Sequence, residues 1–268
     1  MPGLCYSFLM SWGETIQGMP GAIGRELAAF WRWFWHGHAG GKTPWVRRVI
    51  GILFFFALPA PVLLLLIFRF VPIPGTPQML VDVVMMRHVS YSWRSYDSLP
   101  PVLGRAVIGA EDENFCKHWG FDFDAIDKAM KASERNPNRR LRGASTISQQ
   151  AARTLFLVNN RSWIRKGLET YITVLIEGLW PKKRILTAYL NLVDWGRGNY
   201  GADAAARAYF GKPATQITAN QAARLAAILP NPDVWKAGNP GPYVAARAIT
   251  LQARAAEVSR DGLDWCVR

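Results

Sequence analysis

The chain has 268 residues, of which 50% are hydrophobic and 19% charged, and 32 Lys and Arg against 19 Asp and Glu give a formal net charge of +13. This length suffices for the core of one or two domains, and the composition excludes an intrinsically disordered chain. The three cysteines, Cys5, Cys116 and Cys266, are too few for a disulfide scaffold and match no zinc-binding spacing. The basic excess is typical of proteins with a polyanionic partner, such as nucleic acid, an anionic membrane surface or a phosphorylated substrate.

A long uncharged segment occupies residues 49–68. Its 20 residues would span roughly 30 Å as a helix, the thickness of the hydrocarbon core of a bilayer. We therefore predict a single transmembrane helix over residues 46–70, with a buried core helix as the alternative. Because basic residues such as Arg47 and Arg48 precede the segment, the positive-inside rule places the N-terminus in the cytoplasm and the rest of the chain outside, which in a bacterium is the periplasm. Cys116 and Cys266 would then lie where a disulfide can form, but the sequence leaves open whether they meet.

The regions on either side of this segment differ in character. Residues 1–45 are interpreted as a cytoplasmic leader with no assigned function, and residues 71–95 as a linker and membrane-proximal segment. Residues 96–268 are predicted to form one mainly α-helical domain, because apolar residues recur at helical spacing. Short strands are expected only near residues 79–93. Helices are predicted around residues 103–110, 123–130, 162–179, 185–190, 218–229 and 243–258.

An acidic cluster follows the first of these predicted helices. Glu111 lies four residues after Val107, so it borders the buried face of the helix. A carboxylate that is partly removed from water has a raised pKa, which suits a general base near neutral pH. The alternatives are a solvated acidic helix end or a metal site that uses Glu111, Asp112 and His118.

Two further polar segments could bind an anion or a sugar. Ser145 and Thr146 follow a glycine at a predicted helix start, where backbone N–H groups and hydroxyls are exposed, although Thr146 and Gln149 equally fit a plain N-terminal cap. In the next predicted helix Arg165 and Glu169 are four residues apart. This spacing allows a carboxylate held among cations, or ordinary ion pairing on a surface helix.

The order of these motifs is more specific than any one of them. E-D-x-x-F-x-x-H-x-G from Glu111, R-G-A-S-T-I-S-Q-Q from Arg142, R-K-x-x-E from Arg165 and Y-L-N from Tyr189 follow one another behind the apolar segment. Over about residues 70–260 the chain resembles the peptidoglycan glycosyltransferases of glycosyltransferase family 51. The resemblance implies a mainly α fold, with a lysozyme-like head lobe and a small membrane-associated jaw lobe, preceded by a single transmembrane helix. It also implies that lipid II is polymerised into β-1,4-linked glycan with inversion, and that undecaprenyl pyrophosphate is released.

The same resemblance assigns roles to individual residues. Glu111 would be the general base, and Glu169 a second catalytic carboxylate. Arg153 stands where the wider family usually has lysine, so the charge is kept but its geometry differs. The family implies no protein metal site, although a divalent cation, Mg²⁺ or Mn²⁺, at the pyrophosphate is compatible with it. The implied substrate-binding residues are Asp112, Phe115, His118, Ser145, Thr146, Gln149, Gln150, Arg153, Arg161, Arg165, Lys166 and Asn191.

The expected partners are lipid II, the growing glycan strand, the membrane, and proteins of cell-wall synthesis and division. Nucleic acid is disfavoured, since the basic part lies outside the cell. Residues 128–184 alone contain 13 Lys and Arg against three Asp and Glu, which suits a lipid pyrophosphate. No S-x-x-K with a later K-T-G occurs, so we expect polymerisation without cross-linking. The alternatives are a lytic transglycosylase or lysozyme-like hydrolase, and an inactive membrane-anchored scaffold of cell-wall synthesis.

Overall fold

The computed structural model describes residues 49, 51, 57–135, 145–158 and 162–268. The chain divides into two compact units, Met1–Leu64 and Leu65–Arg268. In the part of the chain that is described, no helix is both long enough and apolar enough to cross a membrane. The predicted leader and most of the first half of the predicted transmembrane helix lie outside the described residues.

The second unit is mainly α-helical, as predicted. Helix α1, Pro59–Phe68, contains the boundary between the two units and runs into this one. The further helices are α2 (Pro77–Val84), α3 (Pro101–Glu111), α4 (Phe123–Arg135), α5 (Ile147–Phe156), α6 (Trp163–Leu179), α7 (Lys182–Leu192), α8 (Ala202–Phe210), α9 (Ala219–Ile228) and α10 (Pro242–Arg260). Short 3-10 turns lie at Tyr96–Ser98, Ala214–Gln216 and Trp265–Val267. The division into a head lobe and a jaw lobe stays a prediction.

Side-chain caps explain where several helices begin. The Thr146 and Thr218 hydroxyls each accept the backbone N–H three residues on, and Gln149 and Gln221 return the bond to the cap backbone. Ser162 accepts the Arg165 N–H in the same way. Each such cap satisfies helix N–H groups that would otherwise lack a partner, and is worth about 1 kcal/mol.

The prediction of short strands near residues 79–93 is only partly correct. Residues 77–84 form helix α2, because Thr76 caps the Met79 N–H and Pro77 occupies the first turn. The strand β1 is only Ser90–Tyr91, which pairs in parallel with β2, Asn199–Tyr200. Gly198, which precedes β2, has φ +76° and leaves no room for a side chain, since a Cβ there would lie 1.8 Å from the His88 carbonyl oxygen.

The core is built around α3, which packs against α9 and α10. Leu103, Val107 and Ile108 are fully buried, and each contributes about 1.5–3 kcal/mol relative to an exposed side chain. Gly109 lets α10 approach closely, because a Cβ there would meet the Arg254 Cβ at 3.2 Å. On the other side, α5 packs against α6 and α7. The end of α3 is thereby held by α9 and α10, and the start of α5 is held by α6 and α7.

Helix α4 differs from the rest of this unit. The spacing of Phe123, Ile126 and Met130 predicts an amphipathic helix, and the helix is present, but it contains no buried residue. Phe123 is 74% exposed. Its apolar side is therefore only partly covered by the described residues, since Phe123 and Met130 are exposed and Ile126 is half-buried.

A disulfide connects two distant parts of this unit. Cys116, just after α3, is bonded to Cys266, 150 residues later, with their Cα atoms 5.5 Å apart. The terminal turn is also held by Asp264, whose carboxylate accepts from Arg105 at 2.8 Å and from Arg268 at 2.7 Å. The end of the described chain is thus fixed to α3 and to the segment that follows it.

Loss of this disulfide should destabilise the domain. A cross-link that closes a loop of 150 residues restricts the unfolded chain, and such bonds contribute about 2–5 kcal/mol. We expect Cys266→Ser to lower the free energy of unfolding by that amount, measured by denaturant titration of the full chain in detergent without reductant. Cys5→Ser, which leaves the bond intact, is the control. Equal stability of Cys266→Ser and the unmutated chain would contradict the expectation.

Candidate active site

Glu111 is the last residue of α3, and its side chain is half-buried. The helix stops there because Asp112 leaves helical geometry, with φ −163° and ψ 76°. The Glu111 side chain lines a cavity of about 240 Å³ that Asp112, Ser145, Thr146 and Arg254 also line. The two ends of neighbouring helices, α3 and α5, therefore meet at this cavity.

The surroundings of Glu111 adjust its acidity. Burial raises the pKa of the Glu111 carboxyl, against a hydrogen bond from Gln150 and the positive charges of Arg247 and Arg153, which lower it. The Gln150 Nε2 donates to Glu111 Oε2 at 2.9 Å. A carboxylate of raised pKa is a stronger base than an exposed one, which suits it to accept a proton from a substrate hydroxyl.

Gln150 also connects Glu111 to Tyr189 of α7. The buried Tyr189 hydroxyl donates to Gln150 Oε1 at 3.2 Å, while the amide nitrogen faces the carboxylate. Burial raises the pKa of Tyr189 well above its usual range, so the phenol keeps its proton and remains a donor. This pair of bonds fixes the orientation of the Gln150 amide.

Asp112 joins the segment after α3 to the start of α5. Its buried carboxylate lies 2.9 Å from His118 Nε2 and accepts the Ile147 N–H at 2.9 Å. The Gly120 N–H donates to His118 Nδ1 at 3.1 Å, so the ring proton belongs on Nε2, which donates to Asp112. Asp112 and His118 thus shape the cavity through hydrogen bonds within the protein.

Thr146 and Gln149 form the cap of α5, which is the plain capping alternative raised by the sequence. Thr146 is buried, and its hydroxyl also donates to the Gly120 carbonyl at 2.7 Å. Ser145 and Thr146 both line the cavity. Direct contact of these residues with a substrate stays a prediction.

Glu169 lies buried in a cluster with two cations of its own helix. Arg165 Nη1 is 2.9 Å from Glu169 Oε2, and the Lys166 ammonium contacts the other oxygen. The Arg165 Nε is buried and has no acceptor among the described residues. An unpaired N–H of this kind is costly in a protein interior and marks a place where an anionic ligand could complete the hydrogen bonding.

Phe115 is fully buried, and the Lys182 ammonium lies 4.6 Å from its ring centroid. Lys182 in turn pairs with Glu177 at 2.7 Å. The buried Phe115 ring therefore helps to fix the segment that follows α3, and its role is to support the site.

Asn191 donates to the Arg94 and Thr187 carbonyls and accepts the Arg94 N–H at 2.7 Å. With its amide engaged by backbone groups, its predicted contact with substrate stays a prediction.

Two basic residues of the predicted site are not described, and the metal-site alternative is not supported. Arg161 and Arg142 lie outside the described residues. Among the residues that are described, no set of three His, Cys, Asp or Glu side chains converges as a metal site. The alternative of a metal held by Glu111, Asp112 and His118 does not fit, because Asp112 is engaged by the histidine and by a backbone N–H.

Arg247 is a residue near Glu111 that the four motifs do not include. It lies on α10, far along the chain from Glu111, yet its charge acts on that carboxyl. Arg254, on the same helix, donates to the Gly109 carbonyl at 3.4 Å. The only sequence signal is that both arginines lie on one face of a predicted helix, which does not show what that face contacts.

A half-buried carboxylate of raised pKa beside basic side chains, carried on a helical scaffold, is typical of an enzyme active site. The chain belongs to the transglycosylase family, because residues 79–256 match the family model described as Transglycosylase.

Relatives named biosynthetic peptidoglycan transglycosylase are similar over most of the chain. The one from Caulobacter vibrioides is 47% identical over 222 residues, which cover 83% of this chain and 96% of the relative. The one from Rhodospirillum centenum is 45% identical, covering 83% and 95%. The one from Pseudomonas aeruginosa is 44% identical, covering 83% and 96%. The resemblance inferred from the motifs is thereby confirmed at the level of the family.

The hydrogen bond from Gln150 should be visible in the titration of Glu111. Since this bond favours the ionised carboxyl, Gln150→Leu is expected to raise the pKa of Glu111 further. Isotope-edited NMR of the carboxyl groups over a pH series measures the shift directly. Gln252→Leu, on the exposed side of α10, is the matched control and should leave the Glu111 curve in place. A Glu111 titration that is the same in both variants would remove Gln150 from this role.

Proposed function

We propose that the protein polymerises lipid II into β-1,4-linked glycan strands, with Glu111 as the general base. The observation that carries the proposal is the half-buried Glu111 carboxyl, with its raised pKa, at the edge of a cavity and under the influence of Arg153 and Arg247. Family membership and the names of the relatives support the same activity.

The chemistry is an inverting glycosyl transfer. Glu111 takes the proton from the 4-hydroxyl of the acceptor GlcNAc, whose oxygen attacks the anomeric carbon of the MurNAc at the end of the growing chain. The new C–O bond forms on the face of the anomeric carbon opposite the C–O bond to the pyrophosphate. That bond breaks, and its electron pair leaves with undecaprenyl pyrophosphate. The proton stays on Glu111 until solvent removes it. Charge develops on the leaving pyrophosphate, so fixed cations lower the barrier.

The cluster around Glu169 suits the leaving group. Arg165 presents a planar guanidinium with one unpaired N–H, and Lys166 adds a second positive charge. Guanidinium groups bind phosphate oxygens in pairs of parallel hydrogen bonds. Glu169 holds the two cations in place, and Arg161 is expected to join them. This is the role we assign to the second carboxylate.

We place the catalytic domain on the outer face of the bacterial inner membrane. The 20 uncharged residues at 49–68 support an anchor, and the disulfide between Cys116 and Cys266 suits an oxidising compartment. Large apolar side chains are exposed on α4 and α6, with Phe123 74% and Trp163 92% exposed. Such residues favour the interfacial zone of a bilayer, where a lipid-linked substrate resides.

The test that separates this function from glycan hydrolysis is turnover of purified lipid II. A polymerase lengthens the glycan and releases undecaprenyl pyrophosphate, whereas a lytic enzyme shortens preformed glycan and releases no pyrophosphate. If lipid II is left intact while glycan is cleaved, the proposed reaction is wrong. If neither substrate changes, the chain is a scaffold.

Replacement of Glu111 should abolish polymerisation without harming the fold. Glu111→Gln removes the general base, and we expect the rate of lipid II polymerisation to fall by about 10²–10⁴-fold. A carboxyl whose pKa is raised by folding favours the folded state at pH below its usual range, and costs stability as pH rises through the raised value. The neutral glutamine should therefore leave the thermal midpoint at pH 7 unchanged or raise it. Glu134→Gln, an exposed carboxylate on α4 outside the cavity lining, is the control for both measurements.

Loss of the Lys166 charge should weaken use of the pyrophosphate substrate. We expect Lys166→Met to lower kcat/KM for lipid II by about 10–100-fold, the range for one charge-assisted hydrogen bond. Lys131→Met is the matched control, because Lys131 pairs with Asp127 on an exposed helix face in a similar way. If both variants retain the same kcat/KM as the unmutated protein, Lys166 does not bind the leaving group.

A further inference from the structure

An aromatic cleft lies at the start of α10, outside the catalytic cavity. Its volume is about 260 Å³, and its walls include Trp235, Lys236, Asn239 and Tyr243. The Trp235 and Tyr243 rings are 5.2 Å apart between centroids and inclined by 51°. Tyr243 is 57% exposed, so its ring can be reached from solvent. We call this feature the α10 cleft.

The backbone around the α10 cleft is held in place before any ligand binds. The Trp235 N–H donates to the Asn231 carbonyl at 2.9 Å, and Arg224 donates to the Gly238 carbonyl at 2.5 Å. Gly238 packs so closely that a Cβ there would lie 2.7 Å from the Tyr209 carbonyl oxygen. Ala237 is fully buried between these contacts. A pre-formed cleft loses little conformational entropy on binding.

The chemistry of the α10 cleft suits a carbohydrate. Tyr and Trp rings provide large, rigid surfaces that accept the apolar C–H face of a sugar ring, while Asn239 can bond hydroxyls. Lys236 adds a positive charge, which complements the carboxylates carried by a peptidoglycan strand. A purely apolar occupant would leave both polar side chains without use.

Helix α10 contributes residues to both the α10 cleft and the catalytic cavity. Arg247 and Arg254 follow Tyr243 by four and 11 residues, which places all three side chains on the same side of α10. Arg254 lines the cavity that contains Glu111, and Arg247 acts on the Glu111 carboxyl. The axial distance from Tyr243 to Arg254 is roughly 17 Å. An oligosaccharide, rather than a single sugar, can bridge this span.

We propose that the α10 cleft is a distal subsite for the β-1,4 glycan strand, with Trp235 and Tyr243 stacking on sugar rings several units away from the reacting bond. The subsite rests on the proposed polymerase function and adds a second point at which the enzyme holds its polymer. Its effect is on retention of the strand, since it lies apart from Glu111.

The experiment uses the full chain in detergent and the soluble probe chitotetraose, a β-1,4-linked GlcNAc oligomer. Fluorotryptophan NMR follows the resonance of Trp235, assigned by its loss in Trp235→Phe. We expect the oligomer to shift this resonance, and Tyr243→Ala to weaken binding about three- to tenfold. Tyr243→Phe, which keeps the ring, should bind as the unmutated chain does. Trp265→Ala, an exposed aromatic outside the cleft, is the control.

A second measurement compares the lengths of glycan made from lipid II. Tyr243→Ala should give shorter strands, and Trp265→Ala strands of ordinary length. Unchanged lengths together with unchanged chitotetraose binding in Tyr243→Ala would overturn the subsite while leaving the polymerase function intact. Absence of any polymer from the unmutated chain would instead overturn the proposed function. No shift of the Trp235 resonance with chitotetraose would overturn the subsite and leave the cleft to another occupant.

Discussion

One buried carboxylate holds the candidate site together. Asp112 accepts from His118 and from the Ile147 N–H, so the segment that leaves α3 is tied to the first turn of α5. Glu111 and Gln150 belong to different helices. This joint therefore supports the direct hydrogen bond between them, together with the bond from Thr146 to the Gly120 carbonyl. A buried charge with its hydrogen bonds satisfied is costly to disturb, and this gives the arrangement its rigidity.

The surroundings of Glu111 balance opposing effects. Removal from water favours the protonated carboxyl, while Gln150 and the two nearby arginines favour the ionised one. Full burial would leave the carboxyl protonated and useless as a base, and full exposure would make it a weak one. A partly dehydrated charge at the edge of the helical core lowers the free energy of unfolding. Stability and activity therefore make opposite demands at this residue.

Local patterns in the sequence predict much of the fold, since caps and helical periodicity depend on neighbours along the chain. These patterns predict the capping box of Thr218 and Gln221 and the start of α6 at Ser162. They do not predict contacts that form only in the folded chain. The influence of Arg247 on Glu111 depends on how α10 packs against α3, and none of the four motifs includes Arg247. For the same reason the sequence leaves the pairing of the cysteines open, and helix α2 occupies part of the segment near residues 79–93 where short strands are expected.

Helix α10 runs unbroken through 19 residues, a length of about 28 Å, so it sets fixed intervals between the groups along one face. Tyr243 lies near one end of that face, and Arg254 lines the Glu111 cavity. Insertion of a single residue between them would turn one group about 100° away from the other. Changes in length within this helix are therefore far less tolerable than changes in the identity of its exposed residues.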